Sequence, residues 1–163
     1  MTRKIQTLDV VDEKGKNISF ASRKEIYSKK LRHKIVHVLV FDESGKLACQ
    51  VRSSKMGFCP GCYSTSVGGH VEGGELPEDA AKREMKEEIG KSGELKFIFS
   101  DWFEINGLKK LLFVYKSKVF PPFKLNKREV DRIEYLTYDE IRQIKDDKIH
   151  PELKFIVNRL IAK

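Results

Sequence analysis

Apolar positions along this chain switch between a two-residue and a 3.6-residue repeat, and each switch marks an element. Residues 7–11, the turn-forming DEKGK and the NISFA that follows read as a first hairpin. Ser22 is placed to cap a short helix reaching about residue 30. The strongest strand signal is HKIVHVLVFD, residues 33–42, apolar on both faces for much of its length and so expected at the centre of a sheet. It turns through ESGK into KLACQVRS, and the two segments are expected to pair as a hairpin. Residues 53–62 are rich in turn formers and lead through a short strand, YSTSVGG, into a tight loop. Further on, ELKFIFSDWFEI and KKLLFVYKSKVF flank Asn106-Gly107, a pair that tolerates positive φ and predicts a two-residue hairpin turn. Pro121-Pro122 stops the second of these strands, a polar loop follows to Val130, and RIEYL is a last strand. Thr137 caps a helix over 138–144, and Pro151 opens another in which Leu153, Ile156, Val157, Leu160 and Ile161 keep helical spacing. This order predicts an α+β fold, an α/β/α sandwich with helices flanking a mixed sheet, and one domain over residues 1–163.

One segment stands apart. From Gly69 to Gly90 the chain reads GHVEGGELPEDAAKREMKEEIG. Pro77 suits a first helical turn and Gly90 a helix end, so residues 77–89 are expected to form one helix. Ala81, Met85 and Ile89 make its apolar seam, while Glu84, Glu87 and Glu88 crowd the neighbouring face. Carboxylates at this spacing repel one another unless something positive sits among them, and a divalent cation is the obvious candidate.

Composition narrows the function classes. An apolar fraction of 40% in 163 residues is enough for a real core. The apolar run 35–41 is too short to span a bilayer, and the N-terminal residues hold no signal-like stretch, so a soluble cytoplasmic protein is expected. Three cysteines make no disulfide framework and suit a reducing compartment; Cys59-Pro60-Gly61-Cys62 is expected to be a plain turn, not a redox pair or zinc half-site. The net charge of +8 favours anionic partners, but basic residues are scattered in pairs, so nucleic acid is possible and not favoured.

Gly69, Glu75, Arg83, Glu84, Glu87, Glu88 and Gly90 fall at the spacing G-x5-E-x7-R-E-U-x-E-E-x-G-U, with Met85 at the first aliphatic position and Lys91 in place of the last. This pattern resembles the signature of the Nudix hydrolases. The resemblance implies that Glu84, Glu87, Glu88 and the Gly69 carbonyl hold Mg2+ or Mn2+, with Glu129 as a further carboxylate near the metals. The resemblance alternatively gives one glutamate, Glu84, the task of deprotonating the attacking water instead of holding metal; it also implies that Arg83 holds Glu87, and that Glu75 orients Arg83 or touches outer-sphere water. Catalytic candidates are therefore Arg83, Glu84, Glu87 and Glu88. The expected reaction is cleavage of a phosphoanhydride in a nucleoside diphosphate derivative or related small diphosphate, by a monomer or homodimer. Arg52, Lys55 and His70 are candidate substrate contacts.

From about residue 8 to 136 the chain also resembles the branch of this superfamily related to type 1 isopentenyl-diphosphate isomerase. Those isomerases need a cysteine where this sequence has Gly68, so hydrolysis is expected over isomerisation. A non-catalytic nucleotide- or RNA-binding module is the remaining alternative, and capped RNA is the test substrate for an RNA-directed hydrolase. His33 and His37 share one strand face and, with His70, are candidates for a second metal site. Phe58, Tyr63, Trp102 and Phe103 are candidates for stacking on a base or prenyl group.

Overall fold

The structure is a computed structural model, and it describes residues 6–162. Strands β1 (Thr7–Val11) and β2 (Asn17–Ser22) form an antiparallel hairpin, followed by α1 (Arg23–Ser28), whose cap is the Ser22 side chain accepting from the Glu25 N–H. The helix stops short of residue 30 because Lys30 takes a left-handed φ of 53°. Strand β3 (His33–Val40) is buried at every position, which its two-faced apolar pattern requires. It lies between β6 (Val67–His70), antiparallel to it, and β8 (Leu108–Ser117), parallel to it, with β7 (Leu95–Ile105) at the far edge. Asn106 and Gly107, both at positive φ, make the β7–β8 turn.

The expected hairpin between residues 33–42 and the following strand does not form. β4 (Leu47–Arg52) meets β3 only through a bridge from Phe41 to Leu47, and enters a second sheet between β5 (Tyr63–Ser64) and β9 (Val130–Leu136). A turn signal specifies reversal of the chain, whereas pairing is set by which partners bury both strands. Here β3 is already paired along both edges.

Helices cover both faces. α2 (Pro77–Ile89) begins at Pro77 and ends where Gly90 takes a left-handed φ of 67°, as the sequence pattern predicts. Its Ala80, Ala81, Met85 and Ile89 pack on Val36, Val38 and Val40, the even-numbered face of β3. On the odd-numbered face, Ile35 and Leu39 pack with Leu47 and Cys49 against α3 (Tyr138–Arg142) and α4 (Pro151–Ile161) through Ile141, Leu153, Ile156 and Val157. This is an α+β fold in which a mixed sheet is flanked by helices. A Thr137–Glu140 capping box starts α3, which ends two residues before the expected 144.

Cys59 to Cys62 is not the plain turn expected from the sequence. Cys59 and Cys62 form a disulfide, and Cys49 is a free, buried thiol. Positive φ at Cys59 and Gly61 folds the segment back on itself, with the Cys62 N–H donating to the Cys59 carbonyl, and so brings the two side chains together. Among the described residues, no helix is long and apolar enough to cross a membrane.

Candidate active site

The carboxylates of α2 open into a cavity of about 700 Å3 whose lining reaches from α2 and β6 to β4, β8 and the start of α4. Glu84 and Glu88 hydrogen-bond to each other. Glu88 is 3% exposed, accepts from Gln50 Nε2 at 2.8 Å and from the Gly68 N–H at 3.3 Å. Burial lifts the Glu84 carboxyl to about 7, against the pull of Arg83. Burial and the adjacent Glu84 lift Glu88 well above the ordinary carboxylate range, against the bond from Gln50. The two groups thus hold a proton between them that a cation would displace.

Arg83 is the clamp of this wall. Its Nε meets both Glu75 oxygens at 3.1 and 3.2 Å, Nη1 meets Glu84 at 2.8 Å and Glu87 at 3.3 Å, and Nη2 donates to the His70 carbonyl at 3.0 Å. Helical spacing puts Glu87 one turn from Arg83, and Glu75, on the loop before the helix, closes on Arg83 from the other side. Glu87 itself is exposed and turned to Arg83.

The fit of this wall to a cation rests on Gly69. A Cβ built there would overlap the Glu84 carboxylate, so only glycine lets backbone and carboxylate approach this closely. Hard cations take such sets of carboxylate and carbonyl oxygens. Among the described residues, no three acidic, histidine or cysteine groups are already gathered about one point. Glu84 and Glu88 form the built part, and Glu87 is an exposed arm beside them.

Of the residues marked in the sequence, Arg52, Gly69, His70, Arg83, Glu84, Glu87, Glu88 and Glu129 line the cavity. Lys55 does not: it is exposed on the loop after β4. Arg52 Nε donates to the Phe58 carbonyl at 2.9 Å, and Phe58 lines the cavity in front of His150. Tyr63, Trp102 and Phe103 stay outside the lining; Tyr63 bonds Glu134 and Phe103 packs on Phe155. The three histidines proposed as a second metal site are split. His33 stacks on His70 at 5.7 Å and His70 Nε2 meets the Tyr27 hydroxyl at 2.6 Å, whereas His37 is engaged by Thr65 at 2.7 Å and Glu152 at 3.1 Å. Burial pulls His33 down to about 4 and His70 to about 3, and Lys110 adds to both shifts.

A second charged group at the cavity floor went unmarked. Glu152, 3% exposed, bonds His37 through one oxygen and Lys110 Nζ at 3.2 Å through the other, with His150 at 3.6 Å. Burial opposes its ionisation, but the bond and charge of His37, with Lys110, hold it well below the usual range. A signal existed: Lys110 interrupts the inward face Leu108, Leu112, Val114 of β8. Glu152, in the first turn of α4, is indistinguishable in sequence from an ordinary helix-start acid.

A model of the NUDIX domain matches residues 31–156. The chain is 30% identical over 151 residues to the uncharacterized Nudix hydrolase YfcD of Escherichia coli K12, covering 90% of this chain and 82% of that one. A Nudix hydrolase of Yersinia pestis is 29% identical over 154 residues, covering 92% and 83%. Among solved structures, DR0079 of Deinococcus radiodurans superposes with a TM-score of 0.81 at 24% identity, over 94% of this chain and 98% of that one. The MutT protein of Methanosarcina mazei Go1 gives 0.66 at 20% identity, over 81% and 96%.

Proposed function

The chain belongs to the Nudix hydrolases, a family that uses divalent metal ions, and from that premise we propose that it cleaves the phosphoanhydride of a nucleoside diphosphate derivative or related small diphosphate with Mg2+ or Mn2+. The observation that carries this reading is the Glu84–Glu88 carboxylate pair, Glu88 buried and Glu84 against the Gly69 backbone, whose desolvation a cation would offset. Glu84, Glu87, Glu88 and the Gly69 carbonyl would hold the cation, with Glu129 as a further carboxylate. When bound, the cation neutralises charge on the phosphate oxygens and lowers the pKa of water.

The chain's own groups do the rest. Water attacks one phosphorus, the anhydride P–O bond breaks, and Glu84 takes the proton from the water. Arg83 keeps Glu84 and Glu87 oriented, while Glu75 and the His70 carbonyl keep Arg83 in place. Arg52 binds the departing phosphate, and His70, neutral and next to Gly69, lines the entrance. Gly68 holds no group able to move a proton, and a Cβ there would come within 3.1 Å of His37 Nδ1, which speaks against the isomerase alternative.

The test is turnover of a panel of nucleoside and prenyl diphosphates with Mg2+ and with Mn2+, scored as phosphate and monophosphate release. Glu84→Gln and Glu88→Gln should each lower turnover by roughly 100-fold or more while the chain still melts cooperatively. Near-normal turnover in both variants removes the reading.

A further inference from the structure

The wall of the cavity away from α2 brings together three cations, Arg23, Arg52 and Lys110, with Glu129 and Glu152 as its carboxylates. Lys110 projects from the inward face of β8, is 8% exposed, and yet lines the cavity. Arg52 lines it from the end of β4, with a neutral carbonyl as its hydrogen-bond partner. At the mouth, Arg23 and Lys110 approach the same Tyr27 ring, at 5.9 and 5.8 Å from its centroid. Arg23 and Arg52 repel each other; Arg52 feels Glu88, Glu152 and Glu129, whereas the hydrogen-bonded carboxylate of Lys110 is Glu152. That carboxylate is already divided between His37, Lys110 and His150. Positive charge gathered in a concave site favours an anion.

We propose that Lys110 is the specificity-determining residue of the cavity: a fixed ammonium that selects substrates carrying a further phosphoryl group beyond the diphosphate addressed by α2. This rests on the hydrolase reading above. Lys110 is suited to the task because it cannot swing away. Glu152 Oε2 holds Nζ, Oε1 is held by His37 Nε2, His37 Nδ1 is bonded to Thr65, and the Glu152 N–H donates to His150 Nδ1. Glu152 and His37 are therefore positioning residues, and the buried lysine is a point charge of the kind that binds phosphate. A purely structural Lys110 would share the Glu152 bond and be indifferent to what enters the cavity.

Inorganic pyrophosphate and triphosphate, titrated by calorimetry at saturating Mg2+, probe this without any base or tail. The intact protein should bind triphosphate about tenfold more tightly than pyrophosphate, the size of one charge-assisted hydrogen bond. Lys110→Met should bring the two within about threefold by weakening triphosphate alone, and Lys110→Arg should restore most of the gap. Because Lys110→Met leaves Glu152 with one partner fewer, the paired variant Lys110→Met with Glu152→Gln is measured beside it, each checked by thermal melting. Equal or undetectable binding of the two probes by the intact protein overturns the proposal, as does equal weakening of both in the variants. Failure of the hydrolase reading looks different: turnover survives in Glu84→Gln and Glu88→Gln whatever the binding preference.

Discussion

Gly69 and Glu84 compete for one volume: a methyl group on the glycine would overlap the carboxylate of the glutamate. Backbone overlap cannot be relieved by a rotamer change at residue 69, so the side chain of Glu84 has to move. Gly69→Ala is therefore expected to cut turnover by at least about 100-fold, as in the loss of a positioned catalytic group. Unfolding in urea should change by no more than about 2 kcal/mol, because residue 69 is on an edge strand and half-buried. Both are checked on one purified variant.

The proton shared by Glu84 and Glu88 makes cation binding pH-dependent. Displacing it releases a proton, so affinity for Mg2+ rises with pH as the raised Glu84 and Glu88 carboxyls ionise. Titration calorimetry in buffers from pH 5.5 to 8 should show binding tighten with pH, by up to roughly tenfold per unit for each proton displaced. A flat profile would count against a shared proton.

Arg83 joins Glu75, Glu84, Glu87 and the His70 carbonyl through three nitrogens. A lysine keeps the charge and loses the fork, so Arg83→Lys should lower kcat by about 10- to 100-fold with a smaller change in KM. Glu75→Gln, which leaves Arg83 its other partners, should cost less. Steady-state kinetics on both variants give the order.

Acid stability has two opposing sources. Burial holds His150 and His33 at about 4 and His70 at about 3 in the folded chain, so the unfolded chain takes up protons below about 6.5 and stability is lost as pH falls. Glu84 and Glu88 are raised in the folded chain, and the stability they add below about 4.5 is lost as pH rises towards 7. In chelator, the urea midpoint should vary little from pH 6.5 to 4.5 and then fall steeply, as Glu152, held low when folded, joins the histidines. A chain with both Glu84→Gln and Glu88→Gln should instead fall continuously from pH 6.5.

What could be read in advance was local. Residues 77–89 carry their own start, stop and apolar seam within one helix, so α2 and the approach of Glu84 to Glu88 followed from spacing alone, whereas Glu87 stays exposed beside Arg83. Pairing over distance could not be read so easily. The turn after residue 42 signalled a reversal, but only the competing claims of β6 and β8 on β3 decided that β4 went elsewhere. Lys110 and Glu152 are 42 residues apart, and neither residue has a neighbour in sequence that announces the other. Lys55 misled in the opposite sense: it follows Arg52 closely, yet the turn that starts at Ser53 leaves it in solvent. Cys59 and Cys62 met because of two positive φ angles, which their separation in sequence does not reveal.

The bond between His37 and Glu152 spans 115 residues, and so the order of synthesis bears on the pocket. β3 and β8 leave the ribosome well before the turn that delivers Glu152, and until it arrives the buried Lys110 has no counter-charge and His37 lacks its carboxylate partner. A nascent or truncated chain that stops before residue 150 would hold a complete Gly69 to Gly90 motif over an unfinished floor. Without α4 such a chain also leaves the apolar face under Leu153, Ile156 and Val157 open, and is better suited to proteolysis than to turnover.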